Sequence, residues 1–107
     1  AQTSIQQGLA KCWIQAVGAG TSYNDSFNSS SLTDTGTGVI GVNYTNNMSN
    51  DDASVTLGHQ YTTTSGTGAF FANDSSRATT SHDQNHYQNA SLADPTKYSS
   101  TVHGDLA

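Results

Sequence analysis

An all-β domain with a thin core is the fold class this chain predicts, and three observations carry that expectation. Ser, Thr, Asn and Gln fill 46 of the 107 positions, while Leu, Ile, Val and Phe together fill 16. Glu is absent, and the charged set is 8 Asp against 3 Lys plus Arg. Helices draw on Ala, Leu, Glu, Lys and Arg, whereas Thr favours strands and Ser, Asn and Gly favour turns. The low apolar share would fit disorder, but the dense like charge that accompanies disorder is missing. The third observation is a series of short alternating runs separated by Gly, Asn and Asp clusters. The length allows one domain. So few large apolar residues bury little surface, which predicts a partner subunit or a longer parent chain.

Taken in order, Ala1 to Gly8 reads as a segment joining a parent chain or neighbouring subunit, and 9–107 as the domain. Lys11 to Val17 is the first convincing strand; both of its faces carry apolar residues, so both are expected to be covered, with Trp13 in the core. Gly18-Ala19-Gly20-Thr21 breaks it. Ser22 to Phe27 and Ser29 to Thr33 are weaker runs, Phe27 being read as core. Asp34-Thr35-Gly36-Thr37-Gly38 is a turn leading into Val39 to Tyr44, a hairpin signature. The polar loop Thr45 to Asp52 follows.

Ala53 to Tyr61 has the clearest alternation, with Val55, Leu57, His59 and Tyr61 on one face. Thr62 to Gly68 is a loop, Ala69 to Asn73 a strand, Arg77 to His82 a polar strand, and Asp83 to Asn89 a loop or tip. Tyr98 to His103 is the last short strand. Seven or eight short strands at this spacing predict an antiparallel β-sandwich.

A net charge of -5 removes the basic footprint that nucleic-acid binding needs. No stretch approaches the roughly 20 apolar residues of a membrane span, so membrane insertion is not expected. Cys12, the single cysteine, cannot form an internal disulfide and sits in an apolar run, which predicts a buried, inert thiol.

Sites with chemistry are few. Six Asn-x-Ser/Thr sequons begin at Asn24, Asn28, Asn43, Asn47, Asn73 and Asn89, a mild excess in a chain so rich in Ser and Thr. Asp51-Asp52 lacks the ordered ligand pattern of a calcium loop and reads as solvated. There is no Gly-x-Ser-x-Gly elbow and no Glu to pair with an Asp, so neither catalysis nor a cofactor is expected. His59, His82, His86 and His103 are read as exposed polar side chains, with no metal site. If His82 and His86 lay on one strand they would share a face about 13 Å apart, too far for one ion to bridge.

Lys11-Cys12-Trp13-Ile14, then Gly18-Ala19-Gly20-Thr21, then the block from Asp25-Ser26-Phe27-Asn28 to Gly36-Thr37-Gly38 and the strand Val39 to Tyr44 together resemble a small domain at the C-terminal end of bacteriophage tail fibre and tail-tip proteins. The resemblance covers about residues 9 to 61, and Val102-His103-Gly104-Asp105-Leu106-Ala107 is similar to the way such chains end. Ser29 stands where the family carries an apolar residue, which weakens that strand's share in a core.

The resemblance implies a homotrimeric virion component of the phage tail that meets other tail proteins and a host surface glycan or outer-surface protein. Two alternatives are a purely structural connector or cap and, more remotely, a polysaccharide depolymerase. The residues themselves point to Asp83 to Asn89 as the recognition segment. Asp83, Asn85, His86, Tyr87 and Asn89 gather directional polar groups around one aromatic, a composition suited to a saccharide, with Tyr87 stacking on a sugar ring. Thr62 to Gly68 is the second candidate recognition loop.

Overall fold

The computed structural model describes residues 8–17, 21–60, 70–88 and 91–107. Among these residues nine strands form two antiparallel sheets. The first sheet carries, in spatial order, β2 (Tyr23–Phe27), β1 (Cys12–Val17), β9 (Lys97–His103) and β5 (Ser54–Gln60). The second runs β3 (Ser29–Gly36), β4 (Val39–Tyr44), β7 (Ser81–Gln88) and β6 (Phe70–Arg77), with the two-residue β8 (Ser91–Leu92) paired to the end of β7. The expected antiparallel β-sandwich is present, and among the described residues no helical element contributes to it.

The period-2 geometry of strands decides what fills the core. On β1, Cys12, Ile14 and Ala16 point inward while Trp13, Gln15 and Val17 point out. On β9, Tyr98, Ser100 and Val102 are buried. Leu32, Ile40, Val42 and Tyr44 meet them from the other sheet. Each fully buried aliphatic side chain contributes about 1.5–3 kcal/mol. The alternation read on 53–61 holds over β5, where Val55, Leu57 and His59 are half-buried.

The chain crosses from the first sheet to the second through a single residue, Asn28, between β2 and β3. Its backbone is left-handed, with φ of 59°, a conformation that Asn tolerates better than most residues. The β3–β4 hairpin forms as expected, with its turn tightened to Thr37-Gly38 and Gly38 at φ 73°. A second tie between the sheets is Arg77, which donates from Nη1 to the Ala53 carbonyl and pairs through Nε with Asp74 Oδ2 at 2.7 Å.

Several sequence expectations are overturned. Arg77 to His82 is not a strand: β6 ends at Arg77, the Ala78 amide donates to the Ser81 carbonyl at 2.8 Å, and β7 begins at Ser81, so this stretch is the turn of a hairpin. The segment that begins at Asp83 is not a loop either, because Asp83, Gln84, Asn85, His86, Tyr87 and Gln88 all belong to β7, flanked by β4 and β6. His82 and His86 are not exposed; both are fully buried. Trp13 and Phe27 lie outside the core, at 37% and 53% exposure, because the inward register of β1 belongs to Cys12, Ile14 and Ala16 and Phe27 pairs with Trp13 on the outer face. The expected loop Thr62 to Gly68 lies outside the described residues.

Candidate functional site

The segment expected to carry recognition is divided by the strand it forms. Asp83, Asn85 and Tyr87 alternate onto the outer face of the second sheet and are half-buried, whereas His86 points into the core and cannot meet a ligand. Asn89 lies outside the described residues. Around this outward row, Asn85 is opposite Val39 on one side and Asn73 on the other. Asp83 is opposite Gly41, and its carboxylate lies over that glycine: a Cβ at Gly41 would sit 2.9 Å from Asp83 Oδ1. Asn43 Nδ2 donates to Ser31 Oγ at 3.0 Å and to Thr33 Oγ1 at 3.1 Å, which orders the hydroxyls beside the row. Asn85 Oδ1 is buried with no hydrogen-bond partner among the described residues.

On the inner face, β7 builds a polar chain through the middle of the sandwich. Tyr44 Oη is 2.8 Å from His82 Nδ1, His82 Nε2 is 3.2 Å from Gln84 Oε1, Gln84 Nε2 is 2.8 Å from His86 Nε2, and His86 Nδ1 is 3.1 Å from His59 Nδ1. Gln84 fixes the direction of every bond. Its carbonyl oxygen accepts from His82 Nε2–H, so His82 Nδ1 accepts from the Tyr44 hydroxyl. Its amide nitrogen donates to His86 Nε2, so His86 Nδ1–H donates to His59 Nδ1. All three histidines are neutral in this arrangement. Burial depresses His59 and His82 below the ordinary imidazole range, and burial together with the neighbouring His59 lowers His86 to about 4. Burial also pushes the Cys12 thiol up to about 11, in keeping with an inert core residue.

The outer face of the first sheet holds what sequence reading missed. Trp13 stands opposite Phe27 on one side and Thr101 on the other; two residues along, Gln15 stands opposite Asp25 and Ser99. Gln15 also lines a cleft of about 240 Å³ with Gly58, His59, Gln60, Lys97, Tyr98 and Ser99. Gly58 makes room there, since a Cβ on it would come within 2.8 Å of Ser99 Oγ. An aromatic pair thus continues into an amide- and hydroxyl-lined cleft. The available signal was Gln15, a polar residue in register with Trp13 and Val17, which marks that side of the strand as the wet one.

No protein family, curated protein or solved structure matches the chain. The chemistry of its faces is therefore the guide. Exposed ring faces beside amides, hydroxyls and one carboxylate suit a ligand with an apolar ring surface and a fringe of hydroxyls. Among the described residues, no group of three His, Cys, Asp or Glu side chains lies close enough to hold a metal ion. Asp51 and Asp52 are exposed, and the Asp52 amide donates to Asn50 Oδ1 at 2.9 Å, the local geometry of a solvated turn.

Proposed function

We propose that the chain is an adhesion module of a bacteriophage tail fibre or tail tip, attaching the virion to the host cell surface by binding a saccharide. The exposed Trp13–Phe27 pair running into the Gln15-lined cleft carries this reading. Phe27 and Trp13 supply stacking faces for a sugar ring, while Asp25, Gln15 and Ser99 supply hydrogen bonds to its hydroxyls. The outward row Asp83, Asn85 and Tyr87 is a second, smaller contact face on the opposite sheet. Association with the virion rests on the sequence resemblance over about residues 9 to 61, and with it come a homotrimer and neighbouring tail proteins as partners.

A purified domain applied to a panel of immobilised neutral and acidic oligosaccharides tests the reading. Retention on a subset of glycans, lost in Trp13→Ala and in Gln15→Ala while both variants keep the parent's circular dichroism, is the expected result. Retention equal to the parent's in both variants overturns this site. A domain that binds no glycan, but whose Trp13 becomes protected when tail proteins are added, is instead a structural connector.

A further inference from the structure

Strand register turns the outer face of the first sheet into a grid. One row reads Phe27, Trp13, Thr101 and Thr56 across the four strands, the next Asp25, Gln15, Ser99 and Gly58, and the third Val17, Lys97 and Gln60. The cleft lies on the second and third rows, so the aromatic pair stands at one end of the face and Lys97 at the other. Trp13 and Lys97 are one strand and four residues apart, about 14 Å between backbones at about 4.8 Å per strand and 3.3 Å per residue. That separation leaves room for more than one pyranose ring.

Lys97 differs from the other two cations of the chain. Arg77 is paired with Asp74, and Lys11 Nζ donates to the Leu9 carbonyl at 2.8 Å. All eight Asp belong to the described residues, and none of them forms an ion pair with Lys97. In a chain of net charge -5, a positive charge without a counterion thus stands on the rim of a cleft. We propose, building on the saccharide site above, that the cleft receives the carboxylate of an acidic sugar, with Lys97 Nζ meeting its charge and Trp13 stacking on a neighbouring sugar of the same oligosaccharide.

The lining matches an acceptor. Its side chains include an ammonium, the amides of Gln15 and Gln60 and the Ser99 hydroxyl, and no carboxylate. An ammonium donates and never accepts, and an ionised carboxylate accepts and never donates, so the two pair by charge-assisted hydrogen bonds that a neutral hydroxyl does not equal. The amides and Ser99 Oγ can donate to the second carboxylate oxygen. The bare Gly58 leaves Ser99 Oγ uncovered, since a Cβ there would lie 2.8 Å from it. Asp25 fixes the direction of binding: it stands across Gln15 from Ser99, nearer the aromatic end, and accepts the Ser26 amide at 2.9 Å, so it repels a carboxylate towards Lys97 while its other oxygen accepts from sugar hydroxyls. The net charge of -5 disfavours heavily sulfated or phosphorylated chains, whose many charges meet the field of the whole protein.

The oligosaccharide panel, with uronic-acid-containing, sialylated, sulfated and neutral members, tests this when its carboxylated members are presented both as free acids and as methyl esters. The expected result is retention on a free acid about fivefold stronger than on its ester, the gain of one exposed ion pair at its stronger end. That preference shrinks as NaCl is raised from about 0.05 to about 0.5 M, and in Lys97→Gln the acid-to-ester ratio falls to about one. The uronic and sialylated arms identify which sugar carries the carboxylate. Equal retention of acid and ester by the parent, strongest retention on neutral or sulfated members, or an acid preference that persists in Lys97→Gln would each overturn the carboxylate site while leaving saccharide binding intact. Retention on no member overturns both. Should Lys97→Gln not keep the parent's circular dichroism, the acid and ester comparison on the parent decides alone.

Discussion

Asn28 grips Asn46 with both ends of its amide: Oδ1 accepts the Asn46 backbone N–H at 2.8 Å, and Nδ2 donates to the Asn46 carbonyl at 3.2 Å. The same Nδ2 donates to the Lys11 carbonyl at 2.8 Å. One side chain thus ties the start of β1, the end of β4 and the corner between the sheets. The side chain is committed to these bonds, which removes Asn28 from the sequons able to accept a glycan.

Asn28→Ala is expected to lower stability by about 3 kcal/mol. Roughly 1–2 kcal/mol comes from placing a Cβ without local hydrogen bonding in the left-handed region, and the rest from carbonyl and amide groups left unpaired. Urea unfolding of parent and variant measures it, and a difference below about 1 kcal/mol would show that the corner is held by other contacts.

Gly38→Ala should be more damaging. A Cβ there would stand 2.8 Å from the Ala93 nitrogen and from the His86 oxygen, and 2.9 Å from the Ala93 oxygen, all backbone atoms that no rotamer change can move. The Gly38 amide also donates to Asp94 Oδ1 at 2.7 Å, so the turn cannot shift without losing that bond. Positive φ adds a further penalty. The expected cost is about 3 kcal/mol or more, read as little folded protein at 37 °C in a thermal scan.

Gln84→Leu makes the core more apolar and is nevertheless expected to destabilise it by about 3 kcal/mol. The His82 Nε2–H and the His86 Nε2 lone pair would both lose their partner, and an unsatisfied buried polar group costs about 1–3 kcal/mol. Denaturant titration at pH 7.5 checks this. Unchanged or increased stability would mean that water replaces the amide.

Stability should fall with acid over a defined window. The His86 pKa is lowered from 6.5 to about 4, so between those values the unfolded chain binds a proton that the folded chain refuses. Where the unfolded state holds more protons, stability rises with pH. The contribution of His86 is therefore complete above about pH 6.5, declines as pH falls towards about 4 and is level below it. The loss amounts to about 3 kcal/mol, and His82, shifted in the same direction, adds to it. Guanidinium midpoints at pH 7.5, 5.5 and 4 should decrease in that order in the parent and less steeply in His86→Gln.

Trp13→Ala should cost about 1 kcal/mol or less, far below the roughly 3–5 kcal/mol of a buried tryptophan, because the ring lies on the outer sheet face. If a homotrimer contributes to stability, the melting temperature of parent and variant alike will rise with protein concentration. A melting temperature independent of concentration in the parent would rule out an association that stabilises the fold.

How far the chain could be read depended on contrast between the two faces of each strand. On β5, apolar Val55 and Leu57 alternate with Ser54 and Thr56, so strand and inward face were both legible. The β3–β4 hairpin was legible from Gly36-Thr37-Gly38, where backbone chemistry requires a turn. β7 offered no such contrast: its inward residues are His82, Gln84 and His86, polar like their outward neighbours, and hydropathy alone could not mark it as a strand. β1 failed in the opposite way: apolar residues stand on both faces, and Gln15 between Trp13 and Val17 was the one local mark of the side the core would leave to water.

By itself, then, the sequence determined the all-β class, the hairpin, the alternation of β5 and the burial of Cys12, since backbone propensity and local periodicity act within a few residues. Only the tertiary structure decided that Trp13 and Phe27 form an outer face, that Asp83, Asn85 and Tyr87 part from His86, and that His59 meets His86. Polar residues enter a core when partners from distant strands satisfy their hydrogen bonds. Those partners, Tyr44 and His59 here, are brought together only by the pairing of β4 with β7 and the stacking of the two sheets.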